Sequence, residues 1–272
     1  MAHEESTQKE LIAGVFARAA SSYDRIGPSF FAHFGRRLVE LAQLSKGTRV
    51  LDVATGTGQV LFPAAEQVGS KGSVIGIDIA APMVEAAVAE ISRRGLKNTE
   101  ARQMDAESLD FADAVFDAVL CGFSLFFFPS LDRALSEFHR VLRPGGRLAV
   151  STFAEQDPAS KGFAELLKAY GYESKLMLHA LRTPEAVEAA LGKGVFENVR
   201  VTFEEADFVY ADEEEWWAMN WSLAQRAPLE QMSAETLQRF KADAFSMMRA
   251  YKQPDGLHHP RRVLCAIATA SA

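Results

Sequence analysis

Val50-Leu51-Asp52-Val53-Ala54-Thr55-Gly56-Thr57-Gly58 joins an apolar run, which ends in an acid, to a loop with glycines at alternate positions. An apolar run of this length suits a buried strand. Glycine after it lets the backbone turn sharply and approach a ligand, because it carries no Cβ. A second apolar run, Ser73-Val74-Ile75-Gly76-Ile77, ends at Asp78, twenty residues beyond Gly58. That spacing sets a carboxylate within reach of the ribose of a nucleoside lying over the first loop.

Outward from this stretch, strand-like and helix-like segments alternate. Helical spacing marks residues 7–20 and 29–44, strands are expected at 48–54 and 73–78, and helices at 58–68 and 82–94. Pro63 fits its helix if it sits in the first turn. Further strands are expected at 98–104, 116–122 and 147–152, with a helix at about 130–142 and a turn at Pro144-Gly145-Gly146. Strands separated by helix-length segments favour a parallel, doubly wound α/β sheet. The second half reads as helix over 160–192 with breaks at Gly171 and Pro184, strand over 195–210, helix over 212–253 and strand over 262–269, with His258 and His259 in a loop before that last strand. One domain over 1–272 is expected: a helical cap at 1–45, a nucleoside-binding core at 46–152, and substrate-side helices with the last two strands at 153–272, including the helical insertion at 212–253.

Composition narrows the function classes. Lys and Arg total 29 against 36 Asp and Glu, a formal net charge of −7, with no basic block. Such a chain is a poor partner for nucleic acid or an anionic membrane. No stretch reaches the roughly 18 apolar residues of a membrane span. Cys121 and Cys265 each lie in an apolar run, which reads as buried thiols in a reducing compartment and leaves too few cysteines for a zinc site. The expected location is the cytoplasm, and no metal is expected.

The loop itself discriminates between nucleosides. A dinucleotide loop wants a third small residue three positions after its second glycine, and here Leu61 stands there. Asp52 would repel a pyrophosphate, whereas it suits a cationic ligand without phosphate. S-adenosylmethionine, with its sulfonium and amino group, is such a ligand.

Val50–Gly58 resembles the first motif of class I S-adenosylmethionine-dependent methyltransferases, especially the ubiquinone/menaquinone-biosynthesis branch. Ile77-Asp78-Ile79-Ala80-Ala81-Pro82-Met83, Met104-Asp105-Ala106, Phe116-Asp117-Ala118-Val119 and Arg140-Val141-Leu142-Arg143-Pro144-Gly145-Gly146 continue the resemblance in order over about residues 48–152. Residues 14–35, with Phe16 and Tyr23-Asp24, are similar to the helical cap of that branch. The resemblance implies a Rossmann-like, mostly parallel seven-stranded sheet whose last strand is antiparallel, with helical caps. It implies that Gly56 and Gly58 lie against the methionine part of the cofactor, with Asp52, Ala54 and Thr55 also in the cofactor-binding set, that Asp78 bonds the ribose, that Asp105 and the backbone of Ala106 read the adenine, that Ile79 and Met83 flank its ring, and that Tyr23 closes over it. Ala54 stands where many members have glycine.

Each residue also has a plainer reading. Asp52 caps the loop locally, Asp105 caps a helix, and Met83 is core. Phe123, Phe126 and Phe127 follow the fourth strand, where ligands of open α/β sheets bind, and are expected to line an apolar substrate pocket. Trp217 and Trp221 share a helix face and are either core or a substrate lid. No base stands out, and His33, His179 and His258 are the candidates. The expected function is methyl transfer to the O, N or C of a small apolar or aromatic acceptor, with a homodimer as the assembly considered. Two alternatives stand beside it: a nicotinamide-dependent (NAD(P)) oxidoreductase, and a protein that binds S-adenosylmethionine without methylating.

Overall fold

The computed structural model describes all residues except Met1, Gln156, Lys175, Gly194 and Ala272, and leaves the side chains of Ala2 and His3 undescribed. Two helices, α1 (Ala2–Ala19) and α2 (Phe30–Ala42), precede the first strand, β1 (Arg49–Val53). Then come α3 (Leu61–Val68), β2 (Ser73–Asp78), α4 (Ala81–Arg94), β3 (Thr99–Gln103), β4 (Phe116–Gly122), α5 (Leu131–Val141) and β5 (Leu142–Phe153). Pro63 falls in the first turn of α3, where a missing N–H costs nothing. Gly95 ends α4 in the left-handed conformation, accepting no Cβ penalty, at φ 66°.

The five strands form a parallel sheet in the order β3-β2-β1-β4-β5. Their carboxyl ends, at Val53, Asp78, Gln103, Gly122 and Phe153, therefore open on one rim. The expected turn at Pro144–Gly146 is a shift of register inside β5, between the pairings of Phe116 with Leu142 and Ala118 with Arg147.

The later chain supplies α6 (Pro158–Ala169), α7 (Pro184–Leu191), β6 (Phe196–Tyr210), α8 (Glu213–Trp221), α9 (Arg226–Leu229), α10 (Ala234–Met248), β7 (Lys252–Gln253) and β8 (Gly256–Ala270). β8 lies between β5 and β6 and runs antiparallel to both. The expected seven-strand path is thus present, with the last strand reversed. The two-residue β7 pairs with β8 and makes the sheet eight-stranded.

β8 starts six residues before the expected position 262. Its first half pairs with Glu205–Tyr210, so His258 and His259 are strand residues opposite Val209 and Phe208, not a loop. Alternate residues of β1 feed two cores. Val50 packs with Phe34, Leu38, Leu61 and Val68 on one face, and Leu51 with Leu135, Phe138 and Leu191 on the other. Among the described residues no helix is long and apolar enough to cross a membrane.

Candidate active site

The loop after β1 is built from three left-handed residues, Ala54 (φ 54°), Gly56 (φ 54°) and Gly58 (φ 101°). Ala54 holds a conformation that suits glycine better, at a cost of about 1–2 kcal/mol. The two glycines are required for different reasons. A Cβ on Gly58 would fall 2.3 Å from the Phe62 ring, whereas one on Gly56 would meet nothing nearer than Tyr23, at 3.7 Å. Gly58 lets α3 pack, and Gly56 keeps the rim open.

Asp52 lies beneath this loop, 1% exposed. One oxygen accepts the Thr55 hydroxyl at 2.5 Å, and the other has no hydrogen-bond partner among the described residues. Burial pushes this carboxyl up to about 7. The Thr55 hydroxyl opposes the rise and the nearby Asp78 adds to it. Asp78, also buried, accepts from the backbone N–H of Gly56 and of Ala80, each at 2.9 Å. The tip of β2 is thereby tied to the loop of β1.

Ala54, Gly56, Asp78, Ile79, Met83, Asp105 and Ala106, all expected around a nucleoside, line one cleft together with Tyr23. Asp52, Thr55 and Gly58 do not reach its wall. They shape the loop from below, with Thr55 filling the space over Gly76. The outer wall is α1, through Lys9, Ile12 and Phe16. Lys9 donates to Asp105 at 2.6 Å and lies 2.7 Å from Glu107. Glu107, 3% exposed, also pairs with Arg133 and accepts from the Ser130 N–H at 2.8 Å. Sequence reading missed Lys9 and Glu107, because a polar helix residue carries no local sign of a partner 96 positions away.

A second cleft adjoins the first and is walled by aromatic rings. Phe123, Phe126 and Phe127 line it as expected, joined by Phe30 and Phe31 of α2 and by Phe153. Phe30 stacks on Phe153 at 5.8 Å and meets Phe123 at a 47° tilt, 5.2 Å away. Tyr23 stacks on Phe31 at 5.0 Å. Phe16, Tyr23, Phe123 and Phe127 belong to both clefts. Phe123 takes φ 56°, an uncommon conformation for an aromatic residue. Such strain clusters at functional sites.

Trp217 and Trp221 do share a face of α8, their rings 6.4 Å apart, but Trp217 packs on Phe240 and Phe245 of α10 and neither lines the cleft. Met219 and the turn after α8, Ser222–Gln225, do so instead. None of the three candidate histidines lines either cleft. His33 packs on Phe34 and Phe208, His179 bonds the Phe128 carbonyl at 2.8 Å, and His258 is bracketed by Asp207 and Asp255. His259 is buried behind the wall of the second cleft and lines neither cleft. It takes the Trp216 indole N–H at 3.2 Å and stands 3.2 Å from Asp157, and burial pushes it down to about 4. The Cys121 thiol is buried against Ser124 and pushed up to about 12, which makes it inert.

Residues 44–198 match a family described as a methyltransferase domain. The chain is 43% identical over 149 residues to aklanonic acid methyltransferase DauC of Streptomyces sp. (strain C5), covering 55% of this chain and 68% of that one. It is 34% identical over 168 residues to demethylmenaquinone methyltransferase of Listeria monocytogenes, covering 60% and 70%. Among solved structures, phosphoethanolamine N-methyltransferase 2 of Haemonchus contortus, in complex with S-adenosyl-L-methionine, superposes with a TM-score of 0.59 at 17% identity, over 95% of this chain and 57% of that one. The chain belongs to the class I S-adenosylmethionine-dependent methyltransferase family. It is a methyltransferase whose cofactor is S-adenosylmethionine, and the oxidoreductase alternative falls.

The first cleft fits that cofactor on its own evidence. It offers a ribose-reaching carboxylate at Asp78 and apolar residues at Ile79, Met83 and Ala106. The Asp52 carboxyl beneath its loop, once ionised above about pH 7, suits a cation and opposes a phosphate.

Proposed function

We propose that this chain methylates a small, flat, apolar or aromatic molecule bound between the phenylalanines of the second cleft. The observation that carries this reading is the common wall. Phe16, Tyr23, Phe123 and Phe127 border both clefts, so a group passing from one to the other crosses there.

S-adenosylmethionine supplies an electrophilic methyl group on a sulfonium when bound. In the first cleft, Asp78 takes the ribose hydroxyls, since each carboxylate oxygen that accepts one N–H retains a further lone pair. Asp105 and the Ala106 backbone read the adenine edge, and Ile79 and Met83 sandwich its ring. Gly56 leaves room for the methionine part. Tyr23 closes the junction, and the rings of the second cleft hold the acceptor atom in line and exclude water. Holding two reactants in line is by itself a large part of such catalysis. The chain needs no dedicated base for an acceptor that arrives ionised. Burial lifts the Asp24 carboxyl, on the second cleft's wall, to about 6, so it is the group nearest to neutrality there.

The whole of 1–272 acts as one such unit in this reading, in a reducing compartment that keeps Cys121 and Cys265 as free thiols. Incubation with methyl-labelled S-adenosylmethionine and a panel of hydroxylated and carboxylated polycyclic aromatics is the direct test. Labelled product from at least one aromatic acceptor is expected. S-adenosylhomocysteine binding with no labelled product from any acceptor would return the reading to a non-methylating binder.

A further inference from the structure

The second cleft is not uniformly apolar. Arg182, from the segment before α7, and Arg261, from β8, both line it, and neither borders the cofactor cleft. Their partners are weak for guanidinium groups. Among the described residues, Arg182 reaches only the Ala154 carbonyl at 3.4 Å and the Met177 sulfur at 3.6 Å. Arg261 donates to the Ser160 hydroxyl at 3.0 Å and lies 5.5 Å from the centre of the Phe30 ring, while its Nε is buried without a partner. Beside it, Tyr210 is 1% exposed and its phenol faces the Arg261 guanidinium, with no other hydrogen-bond partner among the described residues.

The acids of this cleft are mostly engaged elsewhere. Asp24 accepts the Phe31 and Ala32 N–H groups. Asp157 accepts from Ser160 and faces His259. Arg262, the third guanidinium of the lining, is paired with Glu205 at 2.6 Å. Glu155 is the remaining carboxylate on the wall. Among the described residues, neither Arg182 nor Arg261 has an ion pair with any of them. Burial also pulls the Arg182 guanidinium below its ordinary range, the mark of a cation lacking its counterion.

Two unneutralised guanidiniums and a buried phenol in an aromatic cleft are costly unless something satisfies them. We propose that Arg182, Arg261 and Tyr210 anchor an ionised oxygen of the acceptor, a carboxylate or a vinylogous acid, at the end of the cleft away from the methyl-transfer junction. The acceptor class is then an aromatic acid or acidic polycycle with its ring system between Phe30, Phe123 and Phe153. The anchored oxygen is not the methylated one, because the arginines face only the second cleft. This inference rests on the methyltransferase reading and adds the acceptor's charge to it.

The test uses the intact protein saturated with S-adenosylhomocysteine, and 2-naphthoate against its neutral isostere 2-naphthamide, by titration calorimetry. Wild type is expected to prefer the carboxylate by about ten-fold or more, the scale of a charge-assisted hydrogen bond. Arg182→Gln and Arg261→Gln are each expected to reduce that preference to about two-fold or less, with Arg182→Lys retaining part of it. A wild-type preference near unity, or one unchanged in both Gln variants, would overturn the proposal. S-adenosylhomocysteine affinity is the control. If it is intact in all proteins while the carboxylate preference is absent, the anchor alone fails. If it is missing in wild type, the cofactor reading fails instead.

Discussion

Asp52 keeps its proton up to about pH 7 in the folded chain, whereas an unfolded aspartate releases it near pH 4. Between those values the folded state binds the extra proton. Its contribution to stability is therefore complete below about pH 4 and is lost as the pH rises through 7. Asp52→Asn keeps the size and removes the titration. Measured as melting temperature, the difference between variant and wild type should move several degrees in the variant's favour from pH 5 to pH 8. A difference that does not change with pH would show that Asp52 titrates normally. The glycines of the same loop separate two costs. Gly58→Ala drives a methyl into the Phe62 ring and should lose about 2–4 kcal/mol in denaturant unfolding. Gly56→Ala meets only the Tyr23 ring, at an ordinary 3.7 Å, at φ 54° and should lose only about 1–2 kcal/mol, with S-adenosylhomocysteine binding weakened as well.

Among the elements, α1 stands outside the sheet and is held to it across long sequence distances. Its polar attachments include Lys9 on Asp105 and Glu107 and Glu5 on Arg133 of α5, while Arg18 reaches Glu230 beyond α9. Breaking a largely buried pair leaves its partner charged and desolvated, here with Arg133 still beside Glu107. Lys9→Met should therefore lower overall stability modestly, by about 1–2 kcal/mol, and speed limited proteolysis ahead of Tyr23. S-adenosylhomocysteine should slow that cleavage in wild type, because Ile12 and Phe16 are walls of its cleft. Equal cleavage rates with and without the ligand would mean that α1 is no wall.

The same elements explain what could be read in advance. β2 and β4 were legible residue for residue because buried parallel strands are short apolar runs with clear ends. The start of β8 was not, because His258-His259-Pro260 looks polar and broken, and only pairing with Phe208 and Val209 keeps it extended. Asp78, Asp105 and Phe123 were legible because motif order places them at strand ends. Arg182 and Arg261 were not, since their meaning lies in the carboxylates they lack. The histidines misled because a titratable side chain announces its chemistry and not its neighbours.

For the molecule as a whole, a ligand that binds only the folded state stabilises it by mass action. S-adenosylhomocysteine at a hundred times its Kd should contribute about 2.7 kcal/mol, a rise of about 5–10 °C for a chain of this size. NAD should give no shift. Above about pH 7, where Asp52 is ionised, the loop over it suits the cation-bearing cofactor and disfavours the pyrophosphate, so a comparable rise with NAD there would contradict the assignment of that cleft. The two clefts adjoin on the rim at the carboxyl ends of the parallel strands; α1 walls the first, and the second draws its walls from both the early helices and the later chain.

α1 is made before any surface it will rest on. Its anchor at Asp105 is synthesised 96 residues later, and the one at Glu230 212 residues after Arg18. Until then Ile12, Val15 and Phe16 have nothing to cover, and the helix must wait while the sheet assembles behind it. Docking late, over contacts so distant in sequence, makes it a natural last step of folding. The wall that finishes the cofactor cleft is thus a helix outside the sheet's own hydrogen bonding, added over a surface the rest of the chain has already built.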